Sequence, residues 1–354
     1  FLLIIYIYLI FNSIFIAQDF DSLVRSIGFI RFFLLAYAIF YYLNIENRKY
    51  KNLVLKYWSY IFFIVTADLI FEVFLHKNIL GFSSNYPGRL AGFTGEELKV
   101  GGYYFGFILL TLSYLLYKNK YSFLIFFCIF IIVALLIGER ANFIKILIIY
   151  LFFTFFVAKN IGYKNIFIFL STILVLFIFI YNYNSYFNTK IRSYSPFHII
   201  DVDKKEKLKH KGFLGYQRHF LHYSTAYKII KKNPVFGVGM KKFRNESTKE
   251  EYNPAKGITG YANHPHQTHF ELLSELGIIG YLLIILNILN IIWSSFKNNT
   301  KKDLFITSSI LFMIATLIPI IPSGSFFTTF TATIFWINYS FLITNSQKII
   351  KNNG

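Results

Sequence analysis

The chain has 354 residues, 55% hydrophobic and only 15% charged, with a mean hydropathy of +0.50 and a formal charge of +19. Soluble globular chains carry about 25% charged residues, so this balance, together with 44 Phe and 27 Tyr, excludes an ordinary soluble domain. The single cysteine, Cys128, stands inside an apolar run, which excludes an intramolecular disulfide, a zinc ribbon and an iron–sulfur site.

The apolar residues fall in long runs rather than in alternation. This pattern predicts membrane-spanning helices and not a β-barrel. Ten segments stand out, roughly 1–16, 27–43, 53–75, 101–117, 121–137, 142–158, 164–182, 269–293, 304–320 and 326–343. The expected fold is therefore all-α, a polytopic membrane helix bundle with about ten transmembrane helices. The chain opens on Phe1 rather than Met, so the full protein is expected to begin earlier. Residues 1–16 lack a basic flank and read as part of a span rather than a signal peptide.

The connecting loops alternate in charge. One set holds Arg48, Lys49 and Lys51, then Lys118 and Lys120, Lys159 and Lys164, Lys297, Lys301 and Lys302, and finally Lys348 and Lys351. The positive-inside rule assigns this set to the cytoplasm. Two longer segments then face outward, 76–100 and 183–266, the second with a run of Lys204, Lys205, Lys207, Lys209 and Lys211. Long loops are largely exempt from the charge rule. The expected division is an N-terminal helical part over 1–182, a large outer loop over 183–268 and C-terminal helices over 269–354. An external basic loop excludes nucleic acid as a partner and suits anionic headgroups, diphosphates or acidic glycans.

This topology gathers four local oddities on the outer side. Arg89 stands in the glycine-rich stretch Pro87-Gly88-Arg89-Leu90-Ala91-Gly92-Phe93-Thr94-Gly95-Glu96-Glu97, where the plain reading is a turn with surface charges. The functional reading makes Arg89 part of an anion site and gives Glu96 or Glu97 sugar hydroxyls. Arg140, in Gly138-Glu139-Arg140-Ala141, separates two apolar helices with almost no loop. It is either paired with Glu139 at the interface or aims its guanidinium at a phosphate. Arg218 opens a segment in which Phe220, Tyr223, Tyr227 and Ile230 recur at helical spacing, predicting an amphipathic helix that Asn233-Pro234 ends. Gly237 and Gly239 follow no strand and are not a nucleotide loop.

Three histidines then lead into an apolar helix: His264, His266 and His269. A metal reading would use His266, His269 and Glu271, or His219 and His222. The cationic neighbourhood opposes a divalent ion, and convergent ligands are required. The alternative is a general base, since imidazole titrates near pH 6.5 and accepts a proton from a sugar hydroxyl.

Together these segments resemble a family. His264-Pro265-His266-Gln267, followed by Leu272, Glu275-Leu276-Gly277 and Gly280, resembles the signature of the bacterial O-antigen ligase and O-antigen polymerase superfamily. In that family a His-Asn pair opens a helix reading Leu…Glu-Leu-Gly-x-x-Gly. The Arg218 helix with Asn233-Pro234-x-x-Gly237-x-Gly239, the Gly138-Glu139-Arg140-Ala141 turn and Arg89-Leu90-Ala91-Gly92-Phe93 are similar to its other conserved pieces, so the resemblance covers about 87–285. Gln267 stands where the family has Asn, and Glu139 where it has Ser.

The resemblance implies a GT-C-like membrane glycosyltransferase of the bacterial inner membrane, multi-pass, with its active site facing the periplasm. It implies transfer of a glycan from undecaprenyl diphosphate to a sugar hydroxyl, with inversion and without metal or other cofactor. The acceptor would be the lipid A core or a second lipid-linked glycan, in lipopolysaccharide or surface polysaccharide biosynthesis. It assigns His266 as the catalytic residue and Arg140, Arg218 and Arg89 as diphosphate-binding, with Gln267, His264, Glu97 and Glu275 as accessory residues. The rival from another class is a transporter or flippase for a lipid-linked anionic glycan, for which Asp68 and Glu72 are the acidic residues within an apolar span.

Overall fold

A computed structural model describes the chain except for residues 46–48, 87, 165–166, 168–170, 172–217, 255–259, 300–302 and 347–354. Among the described residues all regular structure is helical. In chain order the helices are α1 (Leu2–Phe11), continued by a π-helical turn over Asn12–Ala17, α2 (Phe20–Gly28), α3 (Ile30–Ile45), α4 (Lys49–Leu75), α5 (Val100–Lys118), α6 (Lys120–Ile137), α7 (Arg140–Ile161), α8 (Arg218–Lys232), α9 (Phe243–Glu246), α10 (Thr268–Asn298), α11 (Leu304–Thr316) and α12 (Thr329–Ser346). Among the described residues six stretches are long and apolar enough to cross a membrane: Phe20–Asn44, Tyr50–Leu75, Val100–Lys118, Lys120–Ile137, Arg140–Ala158 and Thr268–Asn298. Leu2–Ala17 and Leu304–Thr316 are shorter apolar helices. The protein is a polytopic helical membrane protein.

The helix ends follow from side-chain caps and breakers. Asp19 accepts the Ser22 amide at 3.0 Å and starts α2 ahead of the expected segment at 27. Asn119 accepts the Tyr121 amide at 2.8 Å and separates α5 from α6. Gly138, at φ 82°, closes α6 in the left-handed region, so α7 begins two residues later. The segment expected over 304–320 ends at Thr316, before Pro319, which cannot continue a helix. The last segment is displaced to Thr329–Ser346, and its Thr, Asn and Ser content lowers its hydropathy. The segment 164–182 and the lysine run from Lys204 to Lys211 lie outside the described residues, apart from a few helical positions near 164.

The chain forms two compact units, residues 42–204 with 299–315, and residues 1–41 with 205–298 and 316–354. The core of the first is aromatic. Phe62 lies 4.5 Å from Tyr104 and 5.0 Å from Phe130 between ring centroids, and Phe127 lies 4.4 Å from Tyr150. Its other face keeps Ile64 at 66%, Phe74 at 75% and Phe155 at 69% exposed. Such a face is untenable in water over this extent and belongs in hydrocarbon. Asp68 and Glu72 are buried loop anchors in this unit. Glu72 accepts the amides of Ala91 and Gly92 at 2.7 and 2.8 Å, and Asp68 accepts the Ile79 amide at 2.8 Å.

The second unit is built around a break in α10. Gly277, at φ 65° and ψ −173°, interrupts the helical ladder. The carbonyls of Ser274 and Glu275 accept the amides of Val238 and Gly239 at 3.0 and 2.9 Å, while the Ile278 amide donates to Pro234 at 2.9 Å. The turn after α8 is thus sewn to the break backbone to backbone. A Cβ on Gly237 would sit 2.5 Å from the Glu275 carbonyl carbon, and one on Gly277 would sit 2.2 Å from the Val235 oxygen. These glycines are a seam between main chains. Asn12, buried in the π-helical turn, completes the seam. It donates to the Phe236 carbonyl at 2.8 Å and accepts the Met240 amide at 3.0 Å.

Candidate active site

The described part of the segment between α8 and α10 folds onto α8. That helix buries Tyr223, Thr225, Ala226 and Ile229, against Phe243, Tyr252 and Ala262. The expected helix forms, but with its inner face rotated: Tyr227 is 60% exposed and Ala226 takes the inward position. Tyr223 stacks on Phe270 of α10 at 5.1 Å. This stacking fixes the first turn of α8 beside the start of α10 and brings four imidazoles together. His266 has ring centroids of His264 at 4.0 Å, His219 at 5.0 Å and His222 at 5.3 Å.

Each ring is held differently. The His222 Nδ1 pairs with the Gly260 carbonyl at 3.0 Å. The His219 Nδ1 and His264 Nε2 are buried without a hydrogen-bond partner. His266 has φ 57°, in the left-handed region that a non-glycine residue enters at a cost, and such strain collects at functional sites. Its carbonyl accepts the Ser323 amide at 2.8 Å. Burial, then the neighbouring His264, lowers the His266 pKa to about 3, and burial, then Lys241, lowers that of His264 to about 4. His219 is lowered by burial and by His222. Burial thus favours the neutral form of His219, His264 and His266, whose lone pairs can accept protons.

His269 does not join it. Its two ring nitrogens pair with the Tyr281 hydroxyl at 3.1 Å and the Leu317 carbonyl at 2.8 Å, on the other side of α10. Glu271, fully buried, is held by Ser325 and by the Phe326 amide at 2.7 Å. His266, His269 and Glu271 are thus not gathered as a ligand set. Among the described residues no group of three or more His, Cys, Asp or Glu is arranged to hold a metal ion.

Gln267 is 2% exposed, and its side-chain oxygen accepts the Phe270 amide at 2.9 Å, capping α10. Glu275 is fully buried and accepts the Lys241 amide at 2.7 Å. Lys241 was not singled out by sequence reasoning. The sequence signal was a lysine two residues after Gly239, in a stretch that holds several other lysines. Arg218 is the first residue of α8, next in the chain to His219.

The other unit holds the remaining candidates. Arg89 donates through Nη2 to the Leu98 carbonyl at 3.2 Å and stands 3.7 Å from a Glu139 carboxylate oxygen. Glu139 accepts from Gly101 at 2.9 Å and Asn142 at 2.6 Å, and burial raises its pKa against the opposing pull of Arg89. Arg140 is exposed as the first residue of α7. Glu97 makes a surface pair with Lys99 at 2.6 Å, a contact worth about 0–1 kcal/mol. A second overlooked lysine, Lys145, is buried in α7 with its ammonium 5.6 Å from the centre of the Phe105 ring. A single lysine within an apolar run offered the sequence no clue to which way it faces.

Residues 123–285 match the family model described as O-antigen ligase. No curated protein matches the chain. The matched stretch contains Arg140, Arg218, the four clustered histidines, Gln267 and Glu275, and leaves out Arg89 and Glu97. The match covers a little under half of the chain and spans α6 and α7, the seam at Gly277 and the imidazole cluster, so it supports a membrane glycosyltransferase broadly of the O-antigen ligase type.

Proposed function

We propose that the protein transfers a glycan from undecaprenyl diphosphate to a sugar hydroxyl at the periplasmic face of the inner membrane, with inversion and without metal. The acceptor is the lipid A core or a second lipid-linked glycan. The observation that carries this reading is the imidazole cluster centred on His266, within the stretch that matches the family.

In this reading His266 is the catalytic residue, taking the proton of the attacking hydroxyl as the bond to the anomeric carbon forms. A positioned base contributes about 10²–10⁴ in rate. A base with a pKa of about 3 is weak on its own. A diphosphate beside it would supply the opposite charge that stabilises imidazolium, so the base strengthens when the donor is bound. The departing lipid diphosphate carries the electron pair and needs cations to receive it. Arg218 is the candidate beside the cluster in sequence, and one well-placed donor is worth about 3–4 kcal/mol. For Arg140 and Arg89 the diphosphate role rests on the family resemblance alone. His264 and Glu275 serve by holding the His266 loop and the α10 break, Gln267 by starting α10, and Glu97 by meeting sugar hydroxyls.

Asp68 and Glu72, the acidic residues within an apolar span, are occupied with loop amides, which speaks against an ion-coupled role for them in the transporter reading. The test is surface-glycan display in a strain lacking the chromosomal gene and carrying His266→Ala or Arg218→Ala. Display should be lost while the protein stays in the membrane at wild-type level. Normal display in either variant would refute the assignment. In the deletion strain, glycans capped at one repeat identify a polymerase, and accumulated lipid-linked polymer identifies a ligase.

A further inference from the structure

Lys241 occupies the left-handed region at φ 64°, immediately after the glycine seam, although it carries a side chain. The strain is held in place from two sides. Its amide is bound by Glu275, 2.7 Å away, and its ammonium donates to the Ser325 hydroxyl at 2.6 Å. That ammonium also lies 3.8 Å from Glu271, in a pair whose side chains are 11% and 0% exposed. Ser325 passes a hydrogen bond on to Glu271, and the Phe326 amide donates to the other carboxylate oxygen.

The same turn holds the histidine loop. Ser323, two residues before Ser325, donates its amide to the His266 carbonyl and shares a hydroxyl contact of 3.0 Å with Thr268. It also bonds to His264 through its backbone. A continuous set of contacts therefore runs from the Lys241 ammonium, through residues 323–326, to His264 and to the carbonyl of His266, whose rings are 4.0 Å apart between centroids.

We propose that Lys241 is a positioning residue for His264 and His266: clamped by Glu271, Glu275 and Ser325, it fixes the turn that carries the His266 carbonyl and supplies the ammonium of that turn. This goes beyond the proposed transfer reaction and depends on it only in taking His266 as the reacting group. The groups facing His264 are Lys241 from the seam, His219 and His222 from α8, and His266 from its own loop. Lys241 is the one amine among them. Among neighbouring charges it exerts the largest effect on His264, after burial. Removing it should let His264 take up a proton at higher pH.

The test uses the full chain in lipid nanodiscs with ¹⁵N-labelled histidine, following ring nitrogen shifts between pH 8 and 4. His264→Gln and His266→Gln assign the signals. In Lys241→Met the His264 midpoint should rise by about one pH unit, a ten-fold change in proton affinity. Lys241→Arg should stay near wild type, since the charge remains. Ser325→Ala, which frees the ammonium without removing it, should raise the midpoint by a smaller amount. If Lys241→Met fails to fold, Ser325→Ala decides. Wild-type titration in Ser325→Ala, or in both variants, overturns the proposal. The readout needs no substrate, so it is separable from His266→Ala display: normal display in that variant refutes the transferase assignment and leaves the Lys241 result standing.

Discussion

At the residue scale the imidazole cluster links function to stability. A histidine free in the unfolded chain titrates near pH 6.5. In the fold His266 and His264 titrate at about 3 and 4, and His219 is also lowered. Between those values the unfolded chain binds more protons than the folded one, so stability rises with pH across that window. The contribution is complete above about pH 6.5 and is lost as pH falls toward the folded values. The expected outcome is a thermal midpoint of the purified protein that drops from pH 7 to pH 5, with a shallower drop in His266→Gln. An identical slope in that variant would contradict the burial argument. The sequence could rank His266 first only by its register with a motif. His269 has the same chemistry and lies three residues away, and only the contacts with Tyr281 and Leu317 show that it is committed elsewhere.

At the element scale the seam between the turn after α8 and the break in α10 sets the site's geometry. In Gly277→Ala the backbone at φ 65° and ψ −173°, a region essentially only glycine enters, alone costs about 1–3 kcal/mol, and the new Cβ would meet the Val235 carbonyl at 2.2 Å. The thermal midpoint in detergent should fall by several degrees, and surface-glycan display should weaken. Gly28→Ala is the control. Nothing lies within 4 Å of its Cβ position at the end of α2, so that variant should match or slightly exceed wild-type stability. Equal stability of the two variants would remove the seam as a structural requirement. The spacing of Gly237, Gly239 and Gly277 was legible in the sequence; that they meet was not, because their common role is main chain against main chain across about forty residues.

At the scale of the whole molecule, the proposed metal-free transfer makes a simple demand. Transfer by membranes carrying the protein should persist in excess EDTA. Loss on chelation, restored by a divalent ion, would return the histidines to a metal reading. Guanidinium and ammonium groups would otherwise have to receive the charge of the leaving diphosphate. The positive excess of the chain is suited to that task, and Lys241 and Lys145 show that some of it is buried rather than spread on the surface.

The sequence alone determined the class of the protein, because a hydrocarbon solvent demands long apolar runs that are visible without any contact being known. It located most of the helices, though not their exact ends, which caps such as Asp19 and Asn119 set, and it gave the family resemblance through short motifs in order. Local signals did not extend to partner choice. That α8 turns Ala226 rather than Tyr227 inward, that Glu139 faces Arg89, and that His219 and His222 close on His266 depend on residues distant in the chain. Tertiary structure alone decided these pairings, because burial and charge pairing are settled by what a neighbouring element offers.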